Sequence, residues 1–205
     1  MSERAPQQER SIASTNRMLD VAEELLATKG PDALTVEAVV AGASASTGSF
    51  YARFESRRGL LKRIHERFLE RVGEEIFAFL QEPIKGENLV EDLTFFILGL
   101  MEISDRHANG FTLFVAQNSF DEEFKSDSLA VMTVVHQYFD QVLLGHSNPD
   151  RGGITEEVKD QCWRIAYGLF LQHVLYEPSF VSGKDETNFE LARATARSIE
   201  KVARN

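Results

Sequence analysis

Cysteine is nearly absent: the 205 residues contain only Cys162. A disulfide framework is therefore excluded, and the composition suits a reducing compartment such as the cytoplasm. Proline occurs five times, too rarely for a loop-rich or polyproline chain. No apolar run approaches the ~18 residues that a membrane-spanning helix needs, and the first 17 residues carry no apolar core of a secretory leader, so no membrane partner is expected. Positive charge is also in short supply. Lys and Arg number 22 against 32 Asp and Glu, a formal net charge of −10. That balance argues against a protein that coats nucleic acid indiscriminately. The usual marks of catalysis and cofactor binding are missing too. Cys162 has no base beside it, and His65, His107, His136, His146 and His173 make no His-x-x-x-His pair. There is no Gly-rich dinucleotide loop, Walker loop or CxxC. No catalytic residue, metal or cofactor is expected.

The shortage of cations is uneven. Residues 1–65 carry a balance of +1, whereas residues 66–205 carry −11. Between 45 and 63 lie Arg53, Arg57, Arg58, Lys62 and Arg63 against one acid, Glu55. A basic spot in an acidic chain reads as a small surface that meets phosphate, mounted on a body that does not.

Apolar spacing predicts an all-α fold. A first helix is expected from about Ser14 to Thr28, its face marked by Met18, Ala22, Leu25 and Leu26 and its end by Lys29-Gly30-Pro31. Thr35 is a candidate cap for a short helix over 36–41, and Ser46 for another near 47–53. Ser56 caps a long fourth helix whose apolar positions, from Leu60 to Leu80, keep a helical period until Pro83. Further helices are expected over about 88–104, 110–119, 121–144, 155–176 and 186–204, with residues 146–153 (HSNPDRGG) as a loop. The expected organisation is a flexible arm (1–13), a helix-turn-helix domain (14–60) and a helical body (61–205).

The stretch from Thr35 to Phe54 carries the first functional content. Two short helices joined by a turn make a helix-turn-helix, whose second helix can enter the major groove of DNA. Val36, Val39, Val40, Ala43 and Phe50 supply a small core. Ser46, Thr47 and Ser49 are short hydroxyl residues able to approach bases or phosphates. Gly48 leaves room for close approach, at a cost of about 1 kcal/mol of helix propensity. Tyr51 can place its hydroxyl on a phosphate, and Arg53 and Arg57 flank the helix.

The series Ser46-x-Gly48-x-x-Tyr51-x-x-Phe54-x-x-Arg57, preceded by MLDVAEELLATKG (18–30) and Thr35-Val36, resembles the signature of TetR-type transcriptional regulators over residues 14–65. The resemblance implies a three-helix DNA-binding head, joined by a long fourth helix to an all-helical ligand-binding and dimerisation body. It further implies repression relieved by an effector. On this resemblance Thr35 becomes a phosphate contact at the start of the second helix. Ser46, Thr47, Ser49 and Phe50 become groove-facing or base-adjacent, and Tyr51, Arg53 and Arg57 backbone contacts. Val36 and Gly48 complete the DNA-binding set, and Phe54 becomes a core anchor. Three positions depart from the pattern: Ser44 stands where the turn glycine is usual, Thr47 where a lysine is common, and Gly42 is out of place.

The body is aromatic. Residues 93–101 (LTFFILGLM) hold no charge, nor do residues 165–176, and a helix that is apolar all round is expected to be buried all round. The small-residue stripe Ala192, Ala196, Ile199 and Ala203, with Phe170, His173 and Val174 of the preceding helix, is the expected face of a homodimer, which implies a palindromic double-stranded DNA operator. Phe96, Met101, Phe111, Phe114, His136, Phe139, Trp163, Tyr167 and Phe170 are the candidates for an apolar or aromatic small-molecule effector site. The alternative is a regulator of the same fold that binds DNA or protein with no effector.

Overall fold

The computed structural model of the chain describes residues 4–83, 86–118, 121–147, 153–176 and 186–204, the first five of them by backbone alone. Among these residues there is no strand. The helices are α1 (Arg4–Lys29), α2 (Val36–Gly42), α3 (Thr47–Phe54), α4 (Arg57–Leu80), α5 (Leu89–Arg106), α6 (Ala108–Asn118), α7 (Glu122–Gly145), α8 (Glu156–Leu175) and α9 (Asn188–Ala203). The chain forms two compact units, which divide between Glu70 and Arg71. The division lies within α4, further along than the 60/61 boundary expected. Residues 148–152 of the expected 146–153 loop lie outside the described residues.

In the first unit α1 begins at Arg4, not near Ser14, so the described part of the expected arm is helical. The physical reason is legible afterwards. Gln, Glu, Arg and Ala are good helix formers, and Pro6 falls in the first turn, where its missing N–H costs nothing. The helix ends at Gly30, which adopts φ 78° and leads into a 3-10 turn over Pro31–Ala33. The Thr35 hydroxyl accepts from the Ala38 N–H at 3.1 Å and the Ser46 hydroxyl from the Ser49 N–H at 3.1 Å. Ser56 does the same for the Gly59 N–H at 3.0 Å. Met18, Leu19, Ala22, Leu34, Val39, Phe50, Phe54, Leu60 and Ile64 form the buried core.

In the second unit Asn88, Asp121, Thr155 and Thr187 cap α5, α7, α8 and α9, and Thr187 and Glu190 close a reciprocal capping box. α9 packs against α5 and α8, and α6 against α7 and α8. Two expectations are corrected here. Ala192, Ala196 and Ile199 are fully buried within their own chain. Their small side chains let α9 come close to its neighbours α5 and α8, so they are not a face left open for a partner; Ala203 is half-buried. The LTFFILGLM stretch of α5 is not enclosed all round either. Leu93, Phe96, Ile97 and Met101 are buried, but Phe95 is 44% exposed, because one face of α5 borders a groove.

Candidate nucleic-acid interface

α2 and α3 are two short capped helices joined through Ala43–Ser46, which makes the head a helix-turn-helix. Ser44 takes φ 50°, the left-handed conformation that glycine adopts without strain. The chain therefore turns at Ser44, with a serine in a conformation that favours glycine. Gly42 has its own reason. A Cβ there would strike a Val21 methyl, so its bare backbone lets α2 dock on α1.

On α3, Ser46, Thr47 and Gly48 are exposed, Ser49 is half-buried, and Tyr51 is 49% exposed. A Cβ built on Gly48 would meet only the Ser46 hydroxyl, at 3.9 Å. Among the described residues nothing asks for glycine there, and the space beside it is open. The hydroxyls of Thr35 and Ser46 accept bonds as caps, which leaves each hydroxyl proton free to be donated outward. Thr35 is exposed and Val36 half-buried at the start of α2.

Three expected contacts sit differently. Phe50 is fully buried. Its ring lies edge-on to Tyr51 at 5.4 Å and tilted on Phe54 at 5.2 Å, so it is the packing anchor of α3, not a base-adjacent group. Position 50 therefore belongs to the interior of the head, while its neighbour Tyr51 is exposed. Arg53 donates from Nε to the Thr15 hydroxyl at 3.0 Å, from Nη1 to the Ser49 carbonyl at 2.8 Å and from Nη2 to the Ser11 hydroxyl at 3.4 Å. Arg57 donates from Nε to the Leu34 carbonyl at 2.6 Å and from Nη2 to the Pro31 carbonyl at 2.8 Å. Both guanidiniums hold the head together. The sequence reading missed Ser11 and Thr15 as partners; their only signal was an i, i+4 hydroxyl pair on α1.

The candidate effector residues are largely packed ring on ring. Phe96, Met101, Phe114 and Phe139 are buried. Phe96 lies 5.8 Å from Phe139, and Phe139 lies 5.4 Å from Trp163. Trp163 stacks on His136 at 4.5 Å and on Tyr167 at 5.8 Å. Phe111 meets Phe170 edge-on. A groove of about 440 Å³ lies instead between α4 and α5, and none of these residues lines it. His173, expected at a dimer face, turns its Nε2 to Asp105 at 2.7 Å, with its side chain only 8% exposed. Burial pushes the Cys162 thiol up, which keeps it protonated and unreactive. Among the described residues no group of His, Cys, Asp and Glu is placed to hold a metal ion, and no helix is long and apolar enough to cross a membrane.

An all-helical chain with an exposed hydroxyl-lined second helix in a helix-turn-helix is built as a DNA-binding regulator. Residues 18–64 match the sequence model for bacterial regulatory proteins of the tetR family. No curated protein matches the chain in sequence. Solved structures resemble it along nearly its whole length. A TetR-family regulator from Streptomyces coelicolor aligns with a TM-score of 0.59 and 18% identity, covering 92% of this chain and 79% of that one. A TetR-family regulator from Thermus thermophilus aligns with a TM-score of 0.58 and 17% identity, over 90% and 97%. A transcriptional regulator from Saccharomonospora viridis, solved with choline, aligns with a TM-score of 0.62 and 12% identity, over 91% and 95%. The amino-terminal domain thus belongs to the TetR family of DNA-binding transcriptional regulators, and the fold of the whole chain is the fold of solved members.

Proposed function

We propose that the protein is a cytoplasmic, ligand-responsive transcriptional repressor that binds a palindromic operator as a homodimer and is released by a small apolar or aromatic effector. The observation that carries the DNA-binding part is the exposed edge of α3. Thr47, open-sided Gly48 and half-exposed Tyr51 stand in a row, with the Ser46 hydroxyl beside them. Thr35 and Tyr51 hold phosphates in this reading, Ser46, Thr47 and Ser49 reach toward base edges, and Arg53 and Arg57 act by fixing the helices that present them. The dimer reading rests on α8. Tyr176, just past its end, is exposed, as is Leu175, while Phe170 and Val174 are half-buried, and a Cβ at Gly168 would meet no atom of the described residues within 4 Å, which suits the close approach of a partner helix. The choline-bound regulator from Saccharomonospora viridis supports a ligand-binding body in this fold.

Selection of bound sequences from random DNA tests the activity. A recovered palindrome is the expected result, and the absence of any enriched sequence would reject it. Tyr51→Phe isolates the hydroxyl; unchanged operator affinity would remove Tyr51 from the contacts. The second reading, a regulator without an effector, is favoured by the ring-on-ring packing of Phe96, Phe139 and Trp163. It is distinguished by whether a small molecule accompanies the purified protein.

A further inference from the structure

The groove between the second half of α4 and α5 has its own chemistry. From α5 come Phe95, Leu98, Gly99, Glu102, Ile103 and Arg106, and from the α4 side Glu75, Phe79 and Glu82. The α5 residues fall at spacings of three and four, so they form one helical face. Phe79 lies directly over Gly99, where a Cβ would overlap its ring. That bare position lets Phe79 and Phe95 come to 5.2 Å at 36°, an aromatic pair in the groove wall. One end is closed electrostatically. Glu75 is bonded by both Arg106 and His107, so its charge and that of Arg106 are spent on each other. Glu82 and Glu102 are exposed and have no ion-pair partner among the described residues. What remains is an apolar, aromatic trough of about 440 Å³ with two exposed carboxylates that form no ion pair among the described residues.

Charge and shape together select the occupant. An inorganic divalent cation needs six or more oxygen ligands, and this lining is mostly carbon. A neutral apolar molecule would leave the carboxylates without a role. A cation whose charge is spread over an apolar body satisfies both, since ring faces and carboxylates attract it at once. We propose that the α4–α5 groove binds a monovalent organic cation with an apolar body, held by Glu82 and Glu102 and stacked against Phe79 and Phe95. This deepens the effector reading above and rests on it only for the step from binding to DNA release.

Tetraphenylphosphonium titrated into the full chain by calorimetry is the direct test, with neutral triphenylphosphine oxide beside it. The paired change Glu82→Gln and Glu102→Gln should weaken tetraphenylphosphonium roughly fivefold to tenfold, and Phe95→Leu should weaken it further. The paired change Glu122→Gln and Glu157→Gln, on exposed acids of α7 and α8, should change it less than about twofold. Saturable binding of the cation that is lost selectively in the groove variants supports the site. No saturable binding, equal weakening by both carboxylate pairs, or equal affinity for the neutral analogue overturns it. All these positions are exposed or half-exposed, so folding is checked by circular dichroism alone. Operator affinity measured with and without the cation reads the effector role separately. Binding with unchanged operator affinity leaves the cation site standing and removes the groove as the effector's seat.

Discussion

The Arg53 guanidinium reaches across from α3 to the Thr15 hydroxyl on α1, Nε to Oγ1 at 3.0 Å. The same group also holds Ser11 on α1 and the Ser49 carbonyl on its own helix. One cation thereby fixes the angle at which α3 is displayed and secures the part of α1 that precedes Met18. A charged donor with three acceptors, partly shielded from water, contributes more than an exposed ion pair. Arg53→Ala should therefore destabilise the head by about 1–2 kcal/mol. Hydrogen exchange should quicken over residues 9–17 before it quickens elsewhere. If the exchange pattern is unchanged and only DNA affinity falls, the residue is a DNA contact after all.

Ser44 is the complementary case. Its φ of 50° places a side chain where a Cβ crowds the following carbonyl, a strain of about 1 kcal/mol for an ordinary L-residue. Ser44→Gly should relieve it and raise the stability by about 0.5–1 kcal/mol; the gain is partly offset by the greater freedom glycine gives the unfolded chain. Chemical denaturation reads the midpoint. A fall in stability would mean that Ser44 has a role in the turn that its backbone does not reveal.

These two residues also mark how far the sequence could be read. Caps are local, so Thr35, Ser46 and Ser56 were legible from a short polar residue before an apolar period. The left-handed turn at Ser44 was legible only as a departure from an expected glycine. The partners of Arg53 were not legible, because a bond between residues 15 and 53 depends on how α1 and α3 cross. The stripe Ala192, Ala196 and Ile199 was read correctly as a close-approach surface, but a helical period does not say whose helix approaches. The neighbours proved to be the chain's own α5 and α8. The α4–α5 groove left no local signal either, since its walls come from two helices.

Glu75 gives a pH dependence with a definite sign. Burial tends to raise its carboxyl, but hydrogen bonds from His107 and Arg106 and their charges prevail, and the group is held below its ordinary value of 4.5. A carboxyl that is more acidic in the folded state contributes stability above its unfolded value and loses it as pH falls through the folded one. Comparing wild type with Glu75→Gln by thermal unfolding should therefore show wild type more stable near pH 6. The gap should close steadily below about pH 4.5. A gap that is constant with pH would mean that the group contributes through packing alone.

Ile199 separates folding from assembly. It is fully buried, and its carbonyl lies 3.8 Å from the Cys162 thiol, so α8 and α9 meet at this point inside one chain. Ile199→Glu would place an unpaired carboxylate in that contact, at a cost of about 3–5 kcal/mol, enough to unfold much of the body. Leu175→Glu, on the exposed end of α8, replaces apolar surface that the proposed dimer would cover. It should leave the circular dichroism and melting of the isolated chain nearly unchanged while shifting light scattering from dimer to monomer. Ile199→Glu should lose helical signal at any concentration. A well-folded, monomeric Ile199→Glu would show instead that α9 opens outward and that its small-residue stripe serves a second copy.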